Sequence, residues 1–245
     1  MRAKQILMPL WRLVCQSATV LDNAIMPRRC VFCGVICREG ERLICSGCDA
    51  ELPRVPRRCP TCAQPLAAAH AEGVVCADCQ LRPTPFEAAM APLAYEFPVD
   101  AAIRMFKFRR RLYYAPAFGE LLRQSLVELP EDIDALLPVP LHWLRHGIRG
   151  FNQAAEMCRP IRKATGLPLV SNVYRVRATP YQSGLSAKER RRNLRRAFVV
   201  RGTISARHVL IVDDVITTGE TCRQLAELLR QHGVEKVSVL AIARA

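Results

Sequence analysis

This sequence predicts an α/β protein in which a mostly parallel sheet flanked by helices follows a small cysteine-rich module. Three observations carry the prediction. From Phe86 onward, strand-like apolar runs alternate with helix-like segments, the order that builds a parallel sheet. Ahead of them, eight of the 12 cysteines fall in four Cys-x-x-Cys pairs. Near the other end, the apolar run Val209-Leu210-Ile211-Val212 stops at two adjacent acids, Asp213 and Asp214. A run of that kind suits a central strand covered on both faces, with its acids emerging from the core at the carboxyl end.

In chain order, Ile6, Leu7, Leu10, Leu13, Val14 and Leu21 lie on one face of a helix, so residues 1–26 are predicted to be an amphipathic helix packed on the rest. Arg12 interrupts the apolar stretch and no small-residue cleavage site follows, which argues against a signal peptide. The cysteine module spans residues 27–83 and ends in the linker Arg82-Pro83-Thr84-Pro85. A domain of residues 84–245 follows, long enough for a full core in a chain that is 50% hydrophobic. Its predicted strands are residues 89–97, 135–139, 169–175, 209–212 and 236–242. Its predicted helices are residues 100–108, 115–129, 152–165 and 219–232, with Pro160 expected to kink the third and Gly166 and Gly233 closing the last two. No apolar run approaches about 18 residues, so no transmembrane span is expected and the protein is not read as integral to a membrane.

The cysteine pairs are Cys30 with Cys33, Cys45 with Cys48, Cys59 with Cys62, and Cys76 with Cys79. A two-residue gap turns both thiolates of a tight knuckle toward one ion, and two knuckles complete a tetrahedral Cys₄ site. Four knuckles imply two structural Zn²⁺ ions in a double zinc ribbon. Sequential pairing is the simplest, and the spacing also permits a cross-braced one. Cys37 and His70 lie inside the module as substitute ligands, whereas Cys15, Cys158 and Cys222 read as buried apolar thiols. A zinc module in place of disulfides points to a reducing cytosol, so a cytoplasmic protein is expected.

The acids Asp213 and Asp214 are followed by Thr217, Thr218, Gly219, Glu220 and Thr221. Such a turn lies between a strand's carboxyl end and a helix's amino end, where free N–H groups and the helix dipole favour a phosphate. The carboxylates can accept hydrogen bonds from sugar hydroxyls, directly or through Mg²⁺. These residues resemble the 5-phosphoribosyl 1-pyrophosphate (PRPP) motif of type I phosphoribosyltransferases. The resemblance implies two acids on the ribose hydroxyls and a loop around the 5′-phosphate. Thr217 stands where the purine-salvage branch carries a third, base-activating acid, and the Thr-Thr-Gly form is similar to the orotate type.

Other segments converge on the same end of the sheet. A loop leaving the 135–139 strand carries Arg145, Arg149, Asn152 and Gln153, suited to pyrophosphate or another anion because ligands collect at the carboxyl ends of parallel strands. Ser186 and Glu189 have capping-box spacing, starting a short helix in which Lys188, Arg190, Arg191, Arg192, Arg195 and Arg196 oppose one acid. In Phe106-Lys107-Phe108-Arg109-Arg110, aromatics interleave with cations as on single-strand-binding surfaces. Lys107, Arg109, Arg110, Arg190, Arg191 and Arg192 are therefore candidate nucleic-acid contacts. The formal charge of +14 falls to about +10 with two Cys₄ zincs bound, and it still favours polyanions.

Taken together, the double zinc ribbon, Lys107-Phe108, Arg149-Gly150-Phe151-Asn152-Gln153-Ala154, Gln182 with Leu185, Arg190 with Asn193, Ala197-Phe198 and the PRPP motif resemble the ComF family of competence-related proteins, GntX-like members included. The resemblance implies a type I phosphoribosyltransferase-like domain that binds PRPP with Mg²⁺. It implies a role in natural transformation or the use of external DNA, with single-stranded DNA and competence or DNA-processing proteins as partners. A phosphoribosyltransferase in nucleotide metabolism, moving phosphoribosyl from PRPP to an acceptor, is the alternative. No residue of the sequence stands out as the acceptor's base.

Overall fold

A computed structural model describes residues 28–37, 43–69, 71, 73–177 and 197–245. The predicted N-terminal helix, Cys15, His70 and the basic segment with Arg190, Arg191 and Arg192 lie outside the described residues. The chain divides into two compact units, Met1–Glu51 and Leu52–Ala245. The first contains the short helix α1 (Ser46–Ala50), which follows the Cys45 knuckle. The second contains the other pair of knuckles, with α2 (Ala77–Leu81), and the whole sheet.

Within that second unit the order is β1 (Ala88–Met90), β2 (Leu93–Ala94), α3 (Val99–Phe108), α4 (Tyr114–Ser125) and a 3-10 turn (Leu126–Glu128). Next come β3 (Ala135–Pro138), α5 (Trp143–Arg149), α6 (Gln153–Thr165), β4 (Val173–Arg175), β5 (Phe198–Val200), β6 (His208–Ile216), α7 (Glu220–Gln231) and β7 (Lys236–Arg244). The sheet runs β1-β7-β6-β3, all parallel, with β2 also pairing β7. Val209, Leu210, Ile211 and Val212 are fully buried, as are Val237, Val239, Leu240, Ala241, Ile242 and Ala243. Strands covered on both faces must be apolar at every position, and each large aliphatic so buried contributes about 1.5–3 kcal/mol.

Helix α7 packs Cys222, Leu225, Ala226 and Leu229 into a cluster with Val209, Ile211, Val237 and Val239. Helices α4 and α6 pack on each other and also contact β7 and β6 respectively. Their approach is close: a Cβ on Gly119 of α4 would stand 2.6 Å from Pro160 Cγ and 2.7 Å from the Met157 carbonyl oxygen. Helix α6 runs through Pro160, whose ring fills the space that Gly119 leaves. Phe106, Phe118 and Phe151 close one end of this layer, with ring centroids 5.9 and 5.6 Å apart around Phe106. Cys158 and Cys222 are buried, as the sequence predicts.

Several predicted boundaries move. The strand expected over residues 89–97 is two short strands, because Pro92 lacks a ladder donor. Its carbonyl instead accepts from the Val55 N–H at 3.0 Å, and Ala94 N–H donates to the Pro53 carbonyl at 2.7 Å. Of the strand expected over residues 169–175, Leu169 makes a single parallel bridge to Leu136, while β4 leaves the sheet to pair antiparallel with β5. The segment expected as a loop after β3 contains α5, capped by His142 Nδ1 accepting from the Leu144 N–H at 3.3 Å and stopped by Gly150 at φ 80°. The Pro83 and Pro85 carbonyls of the linker accept from Arg223 and Arg230 of α7 at 3.0 and 2.7 Å.

At the opposite end of the sheet, buried His208 bonds Asp132 Oδ1 at 2.8 Å and Ser238 Oγ at 2.9 Å. Ser238 is fully buried, so this Ser-His-Asp line is a polar plug between β6 and β7 rather than a nucleophile open to substrate. Among the described residues, no helix is long and apolar enough to cross a membrane.

Candidate functional site

Strand β6 delivers Asp213 and Asp214 to the carboxyl end of the sheet. Asp214 is buried and Asp213 half-buried. The Asp214 N–H donates to Asp213 Oδ1 at 2.8 Å, which turns the first carboxylate back along its own backbone. Lys107, from the last turn of α3, reaches Asp214 Oδ1 at 2.7 Å. Burial, and then the Asp214 charge, push the Asp213 carboxyl up to about 7, while Lys107 and Arg175 pull the other way.

Arg175 on β4 is a site residue that sequence reasoning missed. Burial first, and then the neighbouring Arg145, pull its guanidinium down to about 10; Asp213 opposes this, and Arg149 adds to it. Arg145, Arg149 and Arg175 thus share one field with Asp213, although they come from α5 and β4. The isolated bridge from His142 to Arg175 is what draws these elements together. No sequence pattern marks Arg175, because its neighbours are set by the departure of β4 from the sheet.

Asn152 and Gln153, predicted beside these arginines, have different attachments. Asn152 Oδ1 caps α6 through the Ala154 N–H at 3.0 Å, and its Nδ2 donates to the Val139 carbonyl at 3.0 Å. It fastens the start of the helix to the end of β3. Gln153 Oε1 accepts from Arg149 Nη1 at 3.2 Å, and its Nε2 is buried with no partner among the described residues. Buried side-chain polar atoms left in that state are rare.

The turn after β6 exposes Thr217 and Thr218, and Gly219 adopts φ 73°, the left-handed region that glycine tolerates. Glu220 opens α7, buried, accepting from Gln224 Nε2 at 3.1 Å; a carboxylate is favourable at that helix end. Thr221 follows, partly buried. The turn and the two acids therefore meet at one end of the sheet with four cations close by.

The predicted nucleic-acid residues separate. Lys107 is engaged with Asp214, and Phe106 is core. Arg109 and Arg110 are exposed, with Arg110 Nη2 bonded to the Ile148 carbonyl and the Arg149 guanidinium 5.4 Å from the Phe108 ring centroid. Phe108, Tyr113, Trp143 and Ile148 are also exposed.

The knuckles pair sequentially. Cys30, Cys33, Cys45 and Cys48 form one set and Cys59, Cys62, Cys76 and Cys79 the other, each with its Sγ atoms within 4.8 Å of one another. Cys33 and Cys45 Sγ are 3.7 Å apart, and Cys62 and Cys76 Sγ 3.6 Å. A tetrahedron with Zn–S bonds of about 2.3 Å has edges of about 3.8 Å, so both sets fit zinc. The thiols' electrostatics call for a cation as well. Burial pushes Cys30 up, yet backbone N–H donors outweigh it and bring it down to about 6, whereas burial and the neighbouring thiols push Cys48 up. Four thiolates at this spacing need the ion's charge. Cys37 is buried and outside the first set.

A double zinc ribbon domain model matches residues 21–80, and a phosphoribosyl transferase domain model matches residues 166–245. The chain is 34% identical over 228 residues to the DNA utilization protein YhgH of Escherichia coli O157:H7, covering 89% of this chain and 98% of that protein. It is 33% identical over 231 residues to competence protein F of Haemophilus influenzae, covering 89% and 97%. Competence protein ComFC of Streptococcus pneumoniae is 23% identical over 231 residues, covering 88% and 100%. Two Cys₄ sets ahead of a parallel sheet, and this similarity along nearly the whole length, place the chain in the ComF family, whose relatives include YhgH and competence protein F.

Proposed function

We propose that this protein binds Mg²⁺-PRPP at the carboxyl end of β6 and acts in the use of external DNA, contacting single-stranded DNA through its basic surface. The observation that carries the first part is the ion pair of Lys107 with Asp214 and the field of Arg175 on Asp213, with Arg145 and Arg149 neighbouring Arg175, beside a helix-opening turn. In this reading, Asp213 and Asp214 accept from the ribose hydroxyls, and Thr217, Thr218, Gly219, Glu220 and Thr221 surround the 5′-phosphate. Arg145, Arg149 and the Gln153 Nε2 group serve the pyrophosphate. Mg²⁺ is usually held by one or two carboxylates together with the ligand's own phosphates, and this donor set fits that pattern.

One observation favours a second reading, that of an active phosphoribosyltransferase. A carboxyl near 7 is suited to exchange a proton at neutral pH, and Asp213 is such a group. Incubation with PRPP, Mg²⁺ and candidate bases separates the two. Calorimetric binding of PRPP with no pyrophosphate released is the expected result. Release of pyrophosphate with any base would establish the transferase, and absence of binding would remove both readings.

The DNA part draws on the names of the relatives and on the exposed Arg109 and Arg110 that follow the exposed Phe108. Bases stack on aromatic faces for about 1–3 kcal/mol each, while cations take the phosphates. Single-strand affinity is expected to fall with salt at a log–log slope of about −0.7 per phosphate contact. Replacing Arg190, Arg191 and Arg192 together with Ala should shallow that slope by roughly 2 if each meets one phosphate. Fluorescence anisotropy against a labelled oligonucleotide measures it; an unchanged slope would exclude that segment from the DNA surface.

A further inference from the structure

The turn after β6 is held from behind by a side chain that belongs to none of the motifs above. Arg244, the last residue of β7, is buried. Its Nη1 donates to the carbonyls of Ile216 at 3.1 Å, Ala245 at 2.6 Å, and Thr217. Its Nε donates to the carbonyl of Cys62 at 3.3 Å. Cys62 is one of the four thiols of the second Cys₄ set. One guanidinium therefore joins the backbone of a zinc ligand to the backbone of the turn.

The direction of these bonds matters. A trans peptide places its C=O and the following N–H on opposite sides. With the Ile216 and Thr217 carbonyls turned to Arg244, the N–H groups of Thr217 and Thr218 point away from the guanidinium. The Ile216 carbonyl also accepts from the Ala245 N–H of the β6–β7 ladder at 2.9 Å, so the Thr217 peptide is the one whose direction depends most on Arg244. A cavity of about 400 Å³ opens there, lined by Cys62, Cys76, Thr218, Gly219, Arg223 and Arg244 among others. Asp213 and Asp214 do not line it, so it lies apart from the acids.

We propose that Arg244 is a positioning residue that couples metal occupancy of the second Cys₄ site to the anion-binding turn. The closed tetrahedron fixes the Cys62 carbonyl, that carbonyl fixes the guanidinium, and the guanidinium holds the turn's carbonyls back so that its N–H groups are presented to the ligand. The ligand's identity rests on the PRPP reading above; the coupling itself does not. Loss of the second zinc thus loosens the turn at the other end of this chain of bonds, a role beyond stabilising the ribbon.

The test compares the wild type with Arg244→Gln, Arg244→Lys, Cys79→Ser and the Arg244→Gln/Cys79→Ser double variant. Zinc content, hydrogen–deuterium exchange of peptides covering residues 213–221, and calorimetric PRPP affinity are measured on each. Arg244→Gln should keep two zincs, raise exchange in the turn at least tenfold and weaken PRPP about tenfold, the loss of a charge-assisted bond network. Arg244→Lys, which keeps the charge but not the fork, should recover part of both. Cys79→Ser removes a ligand that Arg244 does not bond; it should lose one zinc and raise the same exchange. The double variant should add nothing further, as two steps on one path do. Unchanged turn exchange in Arg244→Gln or in Cys79→Ser overturns the coupling, whatever happens to PRPP. Responsive exchange in a protein that does not bind PRPP supports the coupling and removes the PRPP reading. If Arg244→Gln does not fold, the exchange of Arg244→Lys and Cys79→Ser decides.

Discussion

Asp213→Asn is expected to weaken PRPP binding by tenfold or more at pH 8 and by little at pH 6. Burial and the adjacent Asp214 push the Asp213 carboxyl up to about 7. One unit below that value about nine-tenths of the group is protonated, and one unit above it about nine-tenths is charged. A hydrogen bond to a carboxylate is worth about 1.5–3 kcal/mol against about 0.5–1.5 kcal/mol for one to a neutral group, so bonds from both ribose hydroxyls correspond to a tenfold effect or larger. Wild-type affinity should therefore rise through pH 7, while the Asn variant shows only the ligand's own titration. The difference between the two calorimetric profiles is the measurement, and parallel profiles would show that Asp213 does not meet the ligand as an anion.

The same shift has the opposite sign for the unliganded protein. Because the folded state holds the Asp213 proton more tightly than the unfolded chain does, the associated stability is fully present below about pH 4. It is lost as pH rises through the folded value of about 7. Urea melts of the wild type relative to Asp213→Asn should diverge in that direction, the wild type losing ground as pH increases. If Asp213 meets the ligand as an anion, binding and folding oppose each other at this one carboxyl.

Cys59→Ser is expected to lower bound zinc from two ions to one per chain and to unfold the second ribbon while the sheet stays folded. Structural zinc sites contribute about 10–16 kcal/mol of apparent binding energy in isolated modules, as much as the whole stability of a typical domain. Cys59 is fully buried, and its Sγ accepts from the Cys76 N–H at 3.4 Å, so the variant loses a metal ligand and a backbone anchor together. The sheet has its own support in the apolar cluster between α7, β6 and β7. Limited proteolysis should cut between residues 52 and 81 and spare the rest. Retention of two zincs, or global loss of protection, would contradict this assignment.

Much of the fold is legible in local sequence. Helix α6 begins at a capping Asn and ends at a left-handed Gly, and α7 is closed near Gly233; the predicted limits of both lie within one residue of those found. The strands misjudged were those whose pairing is decided elsewhere in the chain. Residues 173–175 are apolar enough for a sheet strand, yet they pair with Phe198–Val200, a partner that no short-range pattern announces. Helix α5 was missed because its seven residues carry little apolar periodicity, and Trp143 and Ile148 are exposed rather than buried.

The site divides in the same way. Cysteine spacing determined two Cys₄ zinc sites, and an apolar run ending in Asp213 and Asp214 determined a strand that brings two acids to the sheet's carboxyl end. Those are properties of contiguous residues, whose geometry follows from the turn or the strand that contains them. Tertiary structure alone decided that the knuckles pair sequentially, that Lys107 meets Asp214, that Arg175 shares the field of Asp213, and that Arg244 ties Cys62 to the turn. Each is a contact between distant segments, made by strand order and helix packing. The charge on a side chain can be read from its name, but its neighbours are set only when the sheet has closed.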